Sequence, residues 1–495
     1  MKAFTQYLEK VFYLDLRSLA IFRIFLGLLI LADLCVRWST LIDMYTSEGL
    51  FTRELSFEYY RTNFGQGWNG YVWSLHWLSD SPVFVYALFA VAAIAAVFLI
   101  VGKWTRIATL VSWILLASLH VRNPLVTTSG DFLFKMMLFW SIFLPLSARW
   151  SIDSKKADQT GSNSICSIAS VAYVIQLFTV YFFPGIAKWN STWFSGEAMS
   201  YVMRLDIYIR DFGKMLLEYP EMLAAASWIT LFAELVLIWT LFSTWNNGLL
   251  RLLNMIVFFS FHVAIALALG IGIFPWICMV AWIPLLPSFI WRREKSESVE
   301  STFDWNVLPA WKMATEIFCL AALGLVLAWN LTNMSHSMRP PLMKQVGYLL
   351  AVDQHFQMFG VPPDQNPWFA YEGQLKGGDQ MDIWRNAKID RQRPASGLEV
   401  FPNFHWRKLH RNALLPVNQF LRQPLLDHAV RTWNDEHPDK PVVKARLICF
   451  REEIGPNYNN LNYYSDVWGT FADEEKSIGS LFEQFMKEQG GDLDF

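Results

Sequence analysis

VFVYALFAVAAIAAVFLIV, residues 83–101, runs for nineteen residues without a charge. A helix rises 1.5 Å per residue, so about 20 apolar residues cross a hydrocarbon layer of roughly 30 Å. The stretch therefore has the length and composition of one membrane span. Comparable runs recur and predict spans over residues 17–36, 83–101, 105–121, 130–147, 165–184, 224–243, 252–269, 271–290 and 312–330. The third and fourth are short, and the seventh and eighth nearly fuse around GIGIFPW (270–276). The expectation is an all-α polytopic membrane bundle of about nine spans, with a range of eight to ten. It occupies residues 1–330 and is followed by a small α+β extramembrane domain over residues 331–495.

Composition agrees. Of 495 residues, 54% are hydrophobic and only 17% charged, with 24 Trp and 39 Phe. A soluble domain carries about 25% charge. The net charge of -2 and the lack of a basic block exclude nucleic acid as an expected partner. The cysteines at 35, 166, 278, 319 and 449 form no CxxC pair, so no metal site is expected. The first apolar run lacks a small-residue cleavage site and reads as a retained span rather than a signal peptide.

Basic residues orient the bundle. With the N-terminus inside, the inner segments hold Lys2, Lys10, Arg17, Lys103, Arg106, Arg149, Lys155, Lys156, Arg251, Arg292, Arg293 and Lys295. Short basic loops favour the cytoplasmic side. The loops 37–82 and 185–223 and the tail then lie outside, although Arg37, Arg53 and Arg61 run against the pattern. In the tail, VVKARLICF (442–450) reads as a strand, LLDHAVRTWNDEHPDKP (425–441) as a helix that stops before Pro441, and FEQFMKEQ (482–489) as a short helix. DQHFQMFGVPPDQNPWF (353–369) reads as a turn packed on the membrane domain.

Ionisable groups within spans are costly and normally face the bundle interior. Arg23, Asp33, Gln176, Glu234 and His262 are such groups, and Asp131 and Lys135 have the i,i+4 spacing of a local ion pair. Lys188 lies in YFFPGIAKWNSTWF (181–194), just past the helix breakers Pro184 and Gly185 and beside Trp189 and Trp193. Two readings stand for it. One is an anchor in the headgroup layer. The other is an amine held in an apolar, tryptophan-lined mouth, where desolvation makes lysine a usable base. Glu234 and His262 are candidate companions, and Phe274, in the GIGIFPW turn, is a candidate wall of the same pocket.

The segments SLAIFRIFLGLLILADL (18–34), GDFLFKMMLFWSIFLPLSARWSID (130–153), VYFFPGIAKWNSTWFSGEAM (180–199) and FHVAIALALGIGIFPW (261–276) resemble the vitamin K-dependent gamma-carboxylase-like transmembrane (HTTM) family, and the tail looks like that of bacterial members. The resemblance spans about residues 13–293. It implies a lyase-type enzyme that uses reduced vitamin K, a menaquinol-like quinone, with oxygen and carbon dioxide. In that chemistry a lysine deprotonates the hydroquinone, oxygen addition yields a stronger base, and this base removes a glutamate γ-proton before carbon dioxide adds. By resemblance, GIAKW assigns the first role to Lys188, and the family's FHxxNS histidine corresponds to His262.

Two departures stand out. Ile265 and Ala266 replace the family's Asn-Ser, and Ser129-Gly130 replace an Asn-His pair. Both remove polar groups suited to orienting a quinone or stabilising an oxyanion, which argues against glutamate carboxylation itself. The expected function is chemistry on a quinone or other lipophilic substrate at the outer face, with Lys188 as base and Trp189, Trp193 and Phe274 around the ligand. The alternative is a non-enzymatic membrane protein that assists processing, export or immunity for a peptide. Transport is a third reading, which the lack of a visible inverted repeat disfavours. Expected partners are membrane lipids and a peptide or protein substrate. The expected location is a bacterial plasma membrane, with a cytoplasmic N-terminus and an extracytoplasmic tail.

Overall fold

A computed structural model describes residues 2–156, 162–291, 299–303, 308–335, 339–356, 358–454 and 462–472. Among them, six helical segments are long and apolar enough to cross a membrane. They are α1 (Leu16–Trp38), α2 (Pro82–Val101), α5 (Ile168–Ala187), α6 (Pro220–Leu235, prolonged as a 3-10 turn to Phe242), α7 (Asn247–Ala268) and α9 (Ala310–Met334). Large apolar side chains on them point outward, among them Val83, Ile94, Ile229, Phe232, Ile256 and Ile317. Such a belt suits lipid rather than water.

The remaining expected spans are shorter or more polar helices. α3 (Thr105–Arg122) buries Ser112, Ser118, His120 and Arg122. α4 (Ser129–Ser141) stops well before residue 147, and α8 (Phe274–Trp282) passes into a 3-10 turn, Ile283–Leu285. The expected span 165–184 is displaced because Ser164–Cys166 forms a strand. That strand pairs antiparallel with Leu14–Asp15 and parallel with Val299–Ser301. Ser167 and Ser170 then form a capping box, and α5 starts at Ile168.

The expected Asp131–Lys135 pair does not form. Asp131 accepts the Thr128 backbone N–H at 2.6 Å and meets Arg37 Nη2 at 2.6 Å, whereas Lys135 donates to Asp353 Oδ1 at 2.7 Å. Local spacing loses to long-range partners because Asp131, as an N-cap-region acid, already bonds the first turn of its own helix. Arg37 also binds Asp33, one helical turn back at 2.8 Å, and the Tyr45 hydroxyl at 2.7 Å. One buried guanidinium thus binds two buried carboxylates.

The tail forms a four-stranded antiparallel sheet in the order β2-β1-β3-β4: β1 (Gln365–Leu375), β2 (Gln380–Asp382), β3 (Val442–Glu453) and β4 (Tyr463–Ala472). Helices α10 (Phe404–Asn412) and α11 (Arg422–Glu436) pack with it. The expected strand over 442–450 and helix over 425–441 are thus present, the helix ending at Glu436; the expected helix over 482–489 lies outside the described residues. Of the expected turn over 353–369, residues 358–361 do turn against the bundle, where Trp193 binds the Phe359 and Gly360 carbonyls, whereas residues 365–369 are the start of β1. There β2 pairs only with Glu372–Gln374, so Pro367 leaves no ladder bond unmade on its free side. The tail's core is continuous with the bundle's: Leu41, Tyr45, Leu119 and Ile207 pack in one cluster with Phe369, Trp406, Leu409 and Leu447.

Three tail histidines, His405 and His410 buried and His428 nearly so, are held neutral. Burial pushes His405 down to about 3, and His410 and His428 down to about 4, from 6.5. The unfolded chain binds these protons at higher pH than the folded chain, so their contribution is complete above 6.5 and is lost as pH falls toward about 4. The unfolding midpoint, followed by tryptophan fluorescence in detergent, is expected to be lower at about pH 5 than at about pH 7.5. His410→Gln should narrow that gap; an unchanged gap would show that His410 does not carry it.

Candidate functional site

The site begins where α5 ends. Pro184 lies within its last turn, and the Lys188 N–H closes that turn onto the Pro184 carbonyl at 3.0 Å. Gly185 meets α6 at close range. A Cβ there would sit 2.9 Å from Leu235 Cδ2 and 3.0 Å from Glu234 Cβ, so any larger residue pushes α6 away. That approach brings Lys188 Nζ to 2.7 and 3.0 Å from the two Glu234 carboxylate oxygens. Both side chains are buried, at 5% and 4% exposure. A lone charge at this depth is costly, and each neutralises the other.

Trp193 covers the pair, its ring centroid 5.3 Å from Lys188 Nζ. It is fixed in turn by the tail: Trp193 Nε1 donates to Phe359 O at 2.9 Å and Gly360 O at 3.1 Å. Asn190 caps the short helix Ser191–Phe194 and donates to Gly360 O at 2.8 Å. Trp189 lies elsewhere. It is exposed, packs edge-on against Phe194 and does not line the cavity described next.

Lys188, Glu234, Trp193, His262 and Phe274 all line one apolar cavity of about 580 Å³. Its walls are α5, α6, α7 and α8, and α10 of the tail closes one end. On α7 the lining begins at Ile256 and Val257, and the opposite end of the helix, Asn247–Arg251, takes no part. His262 Nε2 lies 3.0 Å from the Tyr181 hydroxyl, whose oxygen accepts the Trp282 indole N–H at 2.9 Å. His262 Nδ1 is buried with no hydrogen-bond partner among the described residues. A buried nitrogen without a partner loses its hydration uncompensated, unless a ligand supplies one.

Tyr181 escaped the sequence reading because it sits in a wholly apolar run. Its signal was spacing: it precedes Lys188 by seven residues, two helical turns, which puts both on one face. Ser129 and Thr128 also line the cavity. Gly130 faces Phe274 so closely that a Cβ would lie 2.8 Å from Phe274 Cδ2. The Phe274 ring therefore occupies the space that a side chain at position 130 would need.

The HTTM domain family matches residues 13–291, more than half of the chain. No solved structure matches it. With its membrane-length apolar helices and the lysine-bearing cavity between them, the chain is a membrane protein that belongs to the HTTM family, the gamma-carboxylase-like group.

Proposed function

We propose that this protein is a membrane enzyme that removes a proton from a quinol or similar lipophilic substrate, with Lys188 as the base. The observation that carries this reading is the Lys188 amine lining an apolar cavity while its proton already points at Glu234. Transfer of that proton to Glu234 turns the ion pair into a neutral amine and acid. Burial disfavours separated charges, so the neutral form is accessible in such a site. The amine is then free to take a proton from a substrate hydroxyl within hydrogen-bond reach.

The cavity fits a quinol on a structural criterion. Its walls are apolar, and the unpartnered His262 Nδ1 is a polar contact for a ring oxygen. A reduced menaquinone-like molecule bound there would supply an acidic hydroxyl and, with oxygen, the oxidising chemistry. Tyr181 and Trp282 hold the His262 ring in place. Trp193 shields Lys188 from water and favours its charged form between turnovers. Phe274 against Gly130, and Ile265 with Ala266, leave apolar surface where the carboxylase pattern carries amides and a histidine. The reaction proposed therefore ends on the lipophilic substrate, without glutamate carboxylation. A cavity confined to one half of α7 favours catalysis over transport. The charge pattern supports a cytoplasmic N-terminus, nine crossings or re-entrant segments in a plasma membrane, and a cavity near the outer face.

Oxygen uptake by the purified protein with reduced menaquinone is expected to fall about 100-fold or more in Lys188→Ala. Unchanged uptake would overturn the base assignment. Extraction in native lipids followed by mass spectrometry should recover a quinone. Glu234→Leu should cost about 3–5 kcal/mol of stability by leaving a buried ammonium unpaired. The Lys188→Met/Glu234→Leu double variant should return to within about 1 kcal/mol of the parent while remaining inactive. Full activity in the double variant would contradict the reading.

A further inference from the structure

The cavity has a second pole. Helix α10 presents Phe404, Lys408 and Arg411 to it, spaced four and seven residues apart and hence on one face. The helix is pinned to the bundle: Thr40 Oγ1 pairs with His405 Nδ1 at 3.1 Å, Arg407 donates to Gly270 O at 2.9 Å, and Asn412 donates to Leu125 O. Arg411 donates to the Tyr208 hydroxyl and lies over that ring. Neither Lys408 nor Arg411 forms an ion pair with a carboxylate among the described residues, and Lys408 has no hydrogen-bond partner there. Among the described residues, the only carboxylate lining the cavity is Glu234, already bound to Lys188.

Two cations at the end of an apolar cavity, without an acid, form an incomplete arrangement. Both side chains are half-buried; cations drawn partly out of water gain from a partner, and a guanidinium beside an ammonium is well suited to a carboxylate or phosphate. Burial pushes the Lys408 amine down; Tyr208 acts against the shift, Arg411 adds to it, and Asp131, already bound to Arg37 and forming no ion pair with Lys408, opposes it last and least. A bound anion would reverse that shift. Away from this pole the walls are apolar. Ile229 on α6 and Ile256 on α7 line the cavity and are exposed, so the cavity is open where these two helices present them.

We propose that the α10 end of the cavity is an anion subsite for a single-chain acidic amphiphile, its carboxylate or phosphate between Lys408 and Arg411 and its acyl chain directed toward Ile229 and Ile256. This inference goes beyond the quinol reading and does not depend on Lys188 acting as a base. The tail then contributes half of the binding site.

The test is competition for labelled oleate on the purified full chain in detergent micelles. Oleate or its phosphate counterpart, oleoyl lysophosphatidate, should bind at least about tenfold more tightly than uncharged monoolein, and the tighter of the two acids identifies the head group. Lys408→Ala/Arg411→Ala should weaken the acids by about tenfold or more and leave monoolein unchanged. Lys408→Glu guards against misfolding, since it should lose oleate while gaining oleylamine. The Lys188→Met/Glu234→Leu variant should keep oleate binding, which separates this subsite from the base assignment. Equal affinity for oleate and monoolein, competition by inorganic phosphate alone, or undiminished oleate binding in the α10 double variant would overturn the proposal.

Discussion

The contact between Lys188 and Glu234 organises this molecule, because neither charge is tolerable at that depth alone. Its geometry dictates the local sequence. Pro184 ends α5, Gly185 lets α6 approach, and the two helices meet where the amine and carboxylate lie 2.7 Å apart. Trp193 covers the pair and is held by two tail carbonyls, so the ion pair, the bundle and the tail meet at one place. In the proposed reaction the pair is also a proton store. An ammonium hydrogen-bonded to a carboxylate in apolar surroundings has a neutral alternative, and that alternative exposes a free amine to the cavity.

The tail belongs to this arrangement. Its core merges with the loops of the bundle, and α10 both closes the cavity and brings Lys408 and Arg411 to it. The cavity is consequently polarised. The Lys188–Glu234 pair lies on the bundle side, Lys408 and Arg411 lie on the tail side, and the walls between them are apolar. The substitution pattern relative to carboxylases has a physical basis, since Phe274 fills the space beside Gly130.

Much of this was legible in the sequence, for identifiable reasons. Charged residues inside apolar runs are conspicuous, so Lys188, Glu234 and His262 could be singled out, and the structure brings all three to one cavity together with Trp193 and Phe274. Trp189 was singled out with Trp193 for lying near Lys188 in sequence, but it follows the end of α5, outside the short helix Ser191–Phe194 that carries Trp193, and it is exposed. Partners far apart in sequence were not legible. Arg37 and Asp353 displaced the local pairing expected between Asp131 and Lys135. Lys408 gave no signal, because a lysine in the polar run FHWRKLHRN reads as an exposed surface charge. Helix ends were not legible where short apolar runs, such as 130–147 and 271–290, fold as helices that stop early, at Ser141 and Leu285.

The most direct measurement is an infrared difference spectrum recorded on binding of a quinol. If Lys188 delivers its proton to Glu234 as the amine engages the substrate, a protonated-carboxyl band should appear in the parent protein and be absent in Glu234→Gln and in Lys188→Met. A spectrum in which Glu234 remains a carboxylate throughout binding and turnover would contradict the account.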